Sequence, residues 1–249
     1  MRKFSLLTVA LALVPSVAFS KGDGHESGAF HDGYSKSSEL DLYTPDRSAA
    51  RQIALAKVDG RKGLQLTVGY DVGNPDPFYN FQGYVRWANT AHTATLGLAS
   101  RASLSVDIYV PSSWKQSVLR GADLWARIDD PAYDAGHDPY PTAGFYNYGD
   151  GAGVAFSIFE GYSGEIVDYY DVKIKYDDWN RVSMTWDASG VSYFLNKKLI
   201  HHDSAPEYAS CLALEAAFLQ GWRAGGLGAD YDVYFDDLKG QSKGDGKDD

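Results

Sequence analysis

Apolar and polar residues alternate along most of this chain with a period of two. The clearest run covers residues 102–110, where Leu104, Val106 and Ile108 alternate with more polar neighbours before Pro111. An alternation of this kind predicts a β-strand with one buried face. The same pattern recurs in residues 64–68, 124–128, 154–158, 182–186, 191–195 and 231–235.

Turn signals separate these runs at intervals of about eight to fifteen residues. They combine glycine with Asp, Asn, Pro or Ser, and they stand at 59–60, 73–75, 149–151, 163–164 and 189–190. Short strands at this spacing predict an all-β jelly-roll sandwich of two antiparallel sheets. Residues 48–57 and 207–219 have some helical propensity, but neither has an apolar stripe with a cap at each end. We therefore expect strands there too.

The first twenty residues form a targeting segment. Arg2 and Lys3 precede an apolar run over residues 4–14, and Ala18 and Ser20 supply small residues where a signal peptidase reads. These features predict a signal peptide over residues 1–20, cleaved after Ser20, and a secreted or periplasmic protein. A membrane anchor is the weaker alternative, because the run is short of the roughly 20 residues that a span needs and Pro15 interrupts it. No later segment is long and apolar enough to span a membrane.

The rest of the chain forms one domain over residues 39–240, because no linker or internal repeat divides it. Residues 21–38 are rich in Gly, Ser, His and Asp, and they form either a flexible lead-in or an irregular strand. Residues 241–249, QSKGDGKDD, are small and charged, so we expect a disordered acidic tail.

Composition narrows the possible partners and the covalent chemistry. The formal net charge of −10 argues against a broad nucleic-acid surface. The single cysteine, Cys211, cannot form a disulfide within the chain, and its apolar neighbours favour a buried hydrophobic role. Tyrosine outnumbers phenylalanine, 18 to 11. A ring with a polar tip suits both strand surfaces and wet binding surfaces.

Residues 179–200 carry the pattern of a β-hairpin. A strand from Trp179 to Asp187 leads to a glycine turn at Gly190, and the next strand ends in the turn Asn196-Lys197. This sequence resembles the hairpin of the concanavalin A-like lectin/glucanase superfamily and its laminin G-like relatives, with Asn-Lys standing where Asn-Gly is usual. Residues 231–238 resemble the superfamily's closing strand. Residues 110–114 and 140–145 are similar to extracellular bacterial proteins of this fold whose activity is unassigned.

The resemblance implies a concanavalin A-like jelly roll over roughly residues 40–240 and a role connected with carbohydrates. Hydrolases of the superfamily carry Glu-x-Asp-x-(x)-Glu on one strand, and the nearest match here is Glu165, Asp168 and Asp171. Glu165 and Asp168 would face opposite sides of a strand, and Glu165 and Asp171 would lie about 20 Å apart, too far for a catalytic pair. The Gln-x-His strand of alginate-lyase-type members is absent, and residues 143–148 match their tyrosine-bearing strand only faintly.

Glycan binding requires aromatic platforms beside polar groups, because a sugar has apolar C–H faces and many hydroxyls. Residues 125–148 supply both, including a loop-like run over residues 131–146, and a Gly-rich stretch near residue 222 could face the same end. Each of these aromatic side chains could instead fill the core or a cross-strand pair. The predicted carbohydrate-binding residues are Trp125, Arg127, Tyr133, His137, Tyr140, Tyr146, Trp222 and Arg223.

Calcium is the metal that the sequence could accommodate, and no motif for an organic cofactor is present. Carboxylates cluster at the last strand and suit Ca²⁺, which prefers oxygen ligands. The predicted ligands are Asp230, Asp232, Asp236 and Asp237, although a solvated acidic surface explains them as well. The six histidines show no zinc spacing, and the rings of His201 and His202 would point apart on a strand.

The sequence therefore predicts a secreted glycan-binding jelly-roll protein with a polysaccharide partner. Two alternatives stay open: a polysaccharide lyase or glycoside hydrolase that acts on the concave face, with no catalytic residue assigned, and a structural or adhesive envelope protein without a sugar site. The oligomeric state is not predicted.

Overall fold

The computed structural model describes residues 29–45, 49–69, 81–87, 96–97, 101–116, 119–129, 139–187, 189–205, 207–208, 213–222 and 229–243. The predicted signal peptide, Cys211 and residues 244–249 of the predicted tail lie outside them. The described residues form sixteen strands. These are β1 (Ala29–Asp32), β2 (Tyr43–Pro45), β3 (Gln52–Val58), β4 (Arg61–Val68), β5 (Phe81–Trp87), β6 (Leu96–Gly97), β7 (Arg101–Val110), β8 (Arg120–Asp129), β9 (Thr142–Asn147), β10 (Ala155–Phe159), β11 (Ile166–Tyr169), β12 (Asp178–Asp187), β13 (Gly190–Leu195), β14 (Lys198–Asp203), β15 (Ala213–Trp222) and β16 (Tyr231–Lys243).

The strands form two sheets. The first sheet has the order β14-β13-β12-β7-β16-β4-β3, with β1 paired to β16. The second sheet has the order β11-β10-β9-β8-β15-β5-β2, with β6 paired to β15. The strand pairs are antiparallel in both sheets. The predicted sandwich of two antiparallel sheets is confirmed.

The apolar positions of the alternating runs meet between the two sheets in one core. Burying a side chain of this size contributes roughly 1.5–3 kcal/mol to folding, so these stripes hold the sheets together. The fully buried positions include Leu64, Leu66, Val68, Leu104, Val106, Ile108, Val110, Leu124, Ala126, Ile128, Phe156, Val182, Met184, Val191, Tyr193, Val233 and Phe235.

The predicted hairpin is present as β12 and β13, and β14 follows it through a second tight turn. Trp186 is 2% exposed and Trp179 is 5% exposed, so both rings pack against other parts of the domain. The second turn has positive φ at both central residues, 50° at Asn196 and 71° at Lys197. This is the type I′ geometry, whose twist matches the flanking strands.

The two ends of the domain differ in part from the expected boundaries. Residues 29–32 of the predicted lead-in form β1 and pair with β16. Strand β16 runs to Lys243, three residues into the segment expected to be disordered. Both segments with mixed propensity contain strands, β3 and β15, although Glu207 and Tyr208 lie in a short helical turn. No helix among the described residues is long and apolar enough to cross a membrane.

One side of the sandwich is joined by a hydrogen-bonded histidine. His201, on the edge strand β14 of the first sheet, bonds through Nε2 to Oε1 of Glu160 at 2.6 Å. Its Nδ1 lies 2.8 Å from the hydroxyl of Tyr169, on the edge strand β11 of the second sheet. The neighbouring His202 points outward and contacts Ser192, so the two rings diverge as expected.

Candidate functional site

The outer face of the second sheet is formed by the residues that alternate with its core positions. On β8, Leu124 and Ala126 point into the core, so Asp123, Trp125 and Arg127 point outward. The same rule on the neighbouring strands turns outward Gly144 and Tyr146 of β9, Ser157 of β10, Asp168 of β11, and Phe218, Gln220 and Trp222 of β15.

Strand register places four outward polar side chains in one row across this face. Gln220 pairs with Asp123, and Asp123 pairs with Gly144. Gly144 pairs in turn with Ser157, and Ser157 with Asp168. We call Gln220, Asp123, Ser157 and Asp168 the polar row. Glycine is required at position 144, because a Cβ there would lie 2.5 Å from the Cβ of Asp123.

Aromatic rings border the polar row on one side. The rings of Tyr146 and Tyr148 are stacked, with centroids 5.6 Å apart and planes 5° apart. Trp222 meets both rings edge-on, at centroid distances of 5.6 Å and 5.5 Å. Tyr146 is buried, whereas Tyr148 and Trp222 are half-buried. We call Tyr146, Tyr148 and Trp222 the aromatic triad. It offers a ligand apolar ring surface next to polar groups.

A second, apolar cluster borders the row on its other side. Trp125 lies against Tyr140 and Phe218, with ring centroids 6.3 Å and 6.4 Å away. Val85 and Ala216 complete the cluster, which is separate from the main core. Trp125 and Tyr140 are half-buried, so their rings combine a packing role with some exposed surface.

Three members of the polar row are buried, because Asp123 is 0% exposed, Gln220 1% and Ser157 4%, and Asp123 is the carboxyl among them. Its Oδ2 accepts a hydrogen bond from the hydroxyl of Tyr146, and its Oδ1 has no hydrogen-bond partner in the part of the chain that the structure describes. Burial raises the pKa of Asp123 to about 8, against the lowering effect of the hydrogen bond from the Tyr146 hydroxyl. The carboxyl is therefore mostly protonated at neutral pH and can donate a hydrogen bond.

Asp168 occupies the opposite end of the row and is exposed. Its Oδ1 accepts a hydrogen bond from the hydroxyl of Ser157, and the hydroxyl of Tyr148 lies 3.4 Å from the same oxygen. Burial is the main cause that raises the pKa of Tyr148, so this phenol stays protonated and acts as a donor. Tyr146 thus donates to the buried carboxyl of the row, whereas the hydroxyl of Tyr148 lies 3.2 Å from Ser157 Oγ and 3.4 Å from Asp168 Oδ1.

The structure brings together five of the eight predicted carbohydrate-binding residues. Trp125, Arg127, Tyr140, Tyr146 and Trp222 lie on this outer face or against it. Tyr133, His137 and Arg223 lie outside the described residues. The loop expected over residues 131–146 is wrong at its end, because residues 142–147 form β9.

Sequence reasoning missed Asp123, Gln220, Ser157, Asp168 and Tyr148 as members of the site. A signal for Asp123 was present, because the run that turns Leu124 inward turns Asp123 outward beside Trp125. No comparable signal existed for the other four, since only the strand register brings them into one row or beside it.

The four predicted calcium ligands do not converge in the structure. Asp230 pairs with Arg51 at 2.6 Å, and Asp232 accepts a hydrogen bond from Thr67 at 2.7 Å. The carboxylate of Asp236 is held by Arg61 at 2.8 Å, and that of Asp237 contacts Arg181, Lys239 and His31. Among the described residues no group of three or more His, Cys, Asp or Glu could hold a metal ion. Calcium at these positions stays a prediction.

The fold is shared with several solved structures of low sequence identity. The globular domain of calreticulin from T. cruzi matches with a TM-score of 0.57 at 12% identity, over 86% of this chain and 87% of its own. A glycoside hydrolase family 16 endo-glucanase from Bacteroides ovatus matches with a TM-score of 0.57 at 14% identity, over 85% and 99%. The β-glucanase of Bacillus licheniformis matches with a TM-score of 0.51 at 11% identity, over 87% and 99%.

These similarities define the class of the protein at the level of fold. The chain has the concanavalin A-like jelly roll that its hairpin sequence resembled. No family model matches the sequence, and no curated protein matches it. Function therefore has to be argued from the outer face of the second sheet.

Proposed function

We propose that this protein is a secreted glycan-binding protein, and that the glycan lies on the outer face of the second sheet at the accessible end of the polar row, against Tyr148, Trp222 and Asp168. The observation that carries this proposal is the position of the aromatic triad directly beside four aligned polar side chains. A sugar ring presents an apolar face to an aromatic ring and hydroxyls to its edge. The rings of Tyr148 and Trp222, which are half-buried, and the exposed carboxylate of Asp168 supply both kinds of partner.

Binding fits this face better than glycoside hydrolysis does. A hydrolase needs two carboxyl groups about 5–5.5 Å apart for retention or about 6.5–9.5 Å apart for inversion. The cross-strand neighbours of Asp123 are Gln220 and Gly144, and Asp168 is three strands away, about 14 Å between Cα atoms at roughly 4.8 Å per strand.

Binding also fits better than a lyase reaction. A lyase site needs a tyrosine, a histidine and a cation close together, to move the proton and neutralise the substrate's carboxylate. Among the described side chains on the outer face of the second sheet there is no histidine.

The comparisons add support of a coarser kind. The chain shares its fold with structures named as glucanases, and with the globular domain of a calreticulin. Secretion rests on the sequence of residues 1–20, which lie outside the described residues.

A polysaccharide panel tests the proposal directly. Affinity gel electrophoresis against neutral and acidic polysaccharides identifies the one that retards the protein most. We expect Tyr148→Ala and Trp222→Ala each to weaken that binding at least tenfold, about 1.4 kcal/mol, because each removes an aromatic surface beside the row.

The matched controls are Tyr109→Ala and Tyr234→Ala. These half-buried tyrosines pack edge-on, 6.3 Å apart, on the outer face of the first sheet. Their variants should bind as the wild type does, provided that circular dichroism shows all four variants folded. Equal losses in the triad and control variants, or a wild type that no polysaccharide retards, would refute the proposal.

A further inference from the structure

We infer that the outer face of the second sheet selects an uncharged glycan and rejects polyuronates, and that Asp168 sets this selectivity at the exposed end of the polar row. The inference rests on the proposed glycan-binding function and goes beyond it, because it names the chemical class of the ligand and the residue that excludes the other class.

The charges on this face are arranged in a way that disfavours an anionic ligand. Of the four members of the polar row, Asp168 carries the negative charge, because Asp123 is mostly protonated at neutral pH and Gln220 and Ser157 are neutral. Arg127 is the one cation that the described side chains place on this face of the sheet. It lies four residues from Asp123 along β8, about 13 Å at roughly 3.3 Å per residue. Among the described side chains of this face, an anionic sugar beside Asp168 therefore has no nearby cation with which to pair.

The carboxylate of Asp168 is exposed at the end of the row, and Tyr170, two residues further along the chain, is 39% exposed. Burial raises the pKa of Tyr170, and the negative charges of Asp168 and Asp150 raise it further. A uronate carboxylate bound beside Asp168 would be repelled, because like charges at short range near a protein surface interact strongly.

The accessible neighbours of Asp168 suit an uncharged sugar. The hydroxyl of Tyr148 is half-buried beside Asp168 and is a neutral hydrogen-bonding group, and the ring of Trp222 next to it offers apolar surface.

The test compares one polysaccharide in two charge states. The neutral polysaccharide that the wild type binds best is oxidised at its primary hydroxyls, so that the backbone is kept and carboxylates are added. At low ionic strength we expect the oxidised form to bind at least tenfold more weakly than the parent. The difference should shrink in 0.5 M NaCl. The Debye length at that salt concentration is about 4–5 Å, so the repulsion between the carboxylates is screened.

Two variants assign the effect to Asp168. Asp168→Lys should recover most of the affinity for the oxidised polysaccharide, and Asp168→Asn should recover part of it. The control is Asp171→Asn, which removes one exposed charge just beyond β11 and outside the row, and it should recover none.

The outcomes separate this inference from the proposed function. If the wild type binds the oxidised form as tightly as the parent, or if Asp171→Asn recovers as much as Asp168→Asn, the charge selection by Asp168 is wrong while glycan binding stands. If no polysaccharide binds, the proposed function and this inference both fail.

Discussion

At the scale of single residues, the decisive feature is a carboxyl group that the fold removes from water. Asp123 is fully buried on a strand whose sequence places it beside Trp125, and Tyr146 donates to it. The sequence could predict which face of β8 Asp123 lies on. The sequence could not predict that the Asp123 carboxyl is buried, because groups from other strands, such as Tyr146 of β9, cover it.

The raised pKa of Asp123 predicts an unusual pH dependence of stability. An unfolded Asp ionises near pH 3.9, whereas burial raises the pKa of Asp123 in the folded protein to about 8. Between these values the folded state holds a proton that the unfolded state releases. This group therefore destabilises the protein as pH rises, by up to about 1.4 kcal/mol per pH unit, and the effect levels off above pH 8.

Asp123→Asn isolates this contribution, because asparagine keeps the shape of the side chain and cannot ionise. Urea unfolding of both proteins from pH 5 to pH 8 should show the variant gaining stability relative to the wild type as pH rises. Parallel stability curves over this range would mean that Asp123 has an ordinary pKa.

At the scale of elements, alternation predicted strands wherever one face of a strand meets the core and the other is more polar. It failed for β9, whose six residues are all buried. A strand buried on both faces has no alternation to detect, so its residues were expected to lie in a loop. The sequence also could not predict which strands pair or where the register shifts, because both depend on neighbouring strands. Such shifts occur between Leu214 and Ala216 and between Asp236 and Lys239.

The turn between β13 and β14 makes a prediction at this scale. Lys197 is exposed and has a φ of 71°, a conformation that costs a residue with a Cβ about 1–2 kcal/mol. Lys197→Gly should raise the free energy of unfolding by about 0.5–1 kcal/mol, because the relief of strain exceeds the added entropy of the unfolded chain. Chemical denaturation measures the change.

Lys198→Gly is the matched control for that turn. Lys198 is also exposed but is the first residue of β14 and has no positive φ. Glycine there should destabilise the protein by about 0.5–1 kcal/mol. If both glycine variants change stability in the same direction, the turn does not strain Lys197.

At the scale of the whole molecule, the candidate site exists only because the jelly roll aligns five strands. β8, β9, β10, β11 and β15 each contribute to the polar row or its borders, although Asp123 and Gln220 are far apart in the sequence. The hairpin sequence was sufficient to predict the fold. The register that builds the row could be known only from the folded chain.

The most direct test of the account follows the tryptophan side chains during glycan binding. The protein has six tryptophans, so ¹⁵N-labelled indoles give few and well-separated NMR signals, which tryptophan-to-phenylalanine variants assign. Titration with an oligosaccharide of the best-bound polysaccharide should shift the signal of Trp222 most and that of Trp125 next, because both border the polar row. Trp186 in the core and Trp179 on the first sheet should not move. Shifts confined to Trp179, with Trp222 unchanged at saturation, would contradict the placement of the glycan on the second sheet.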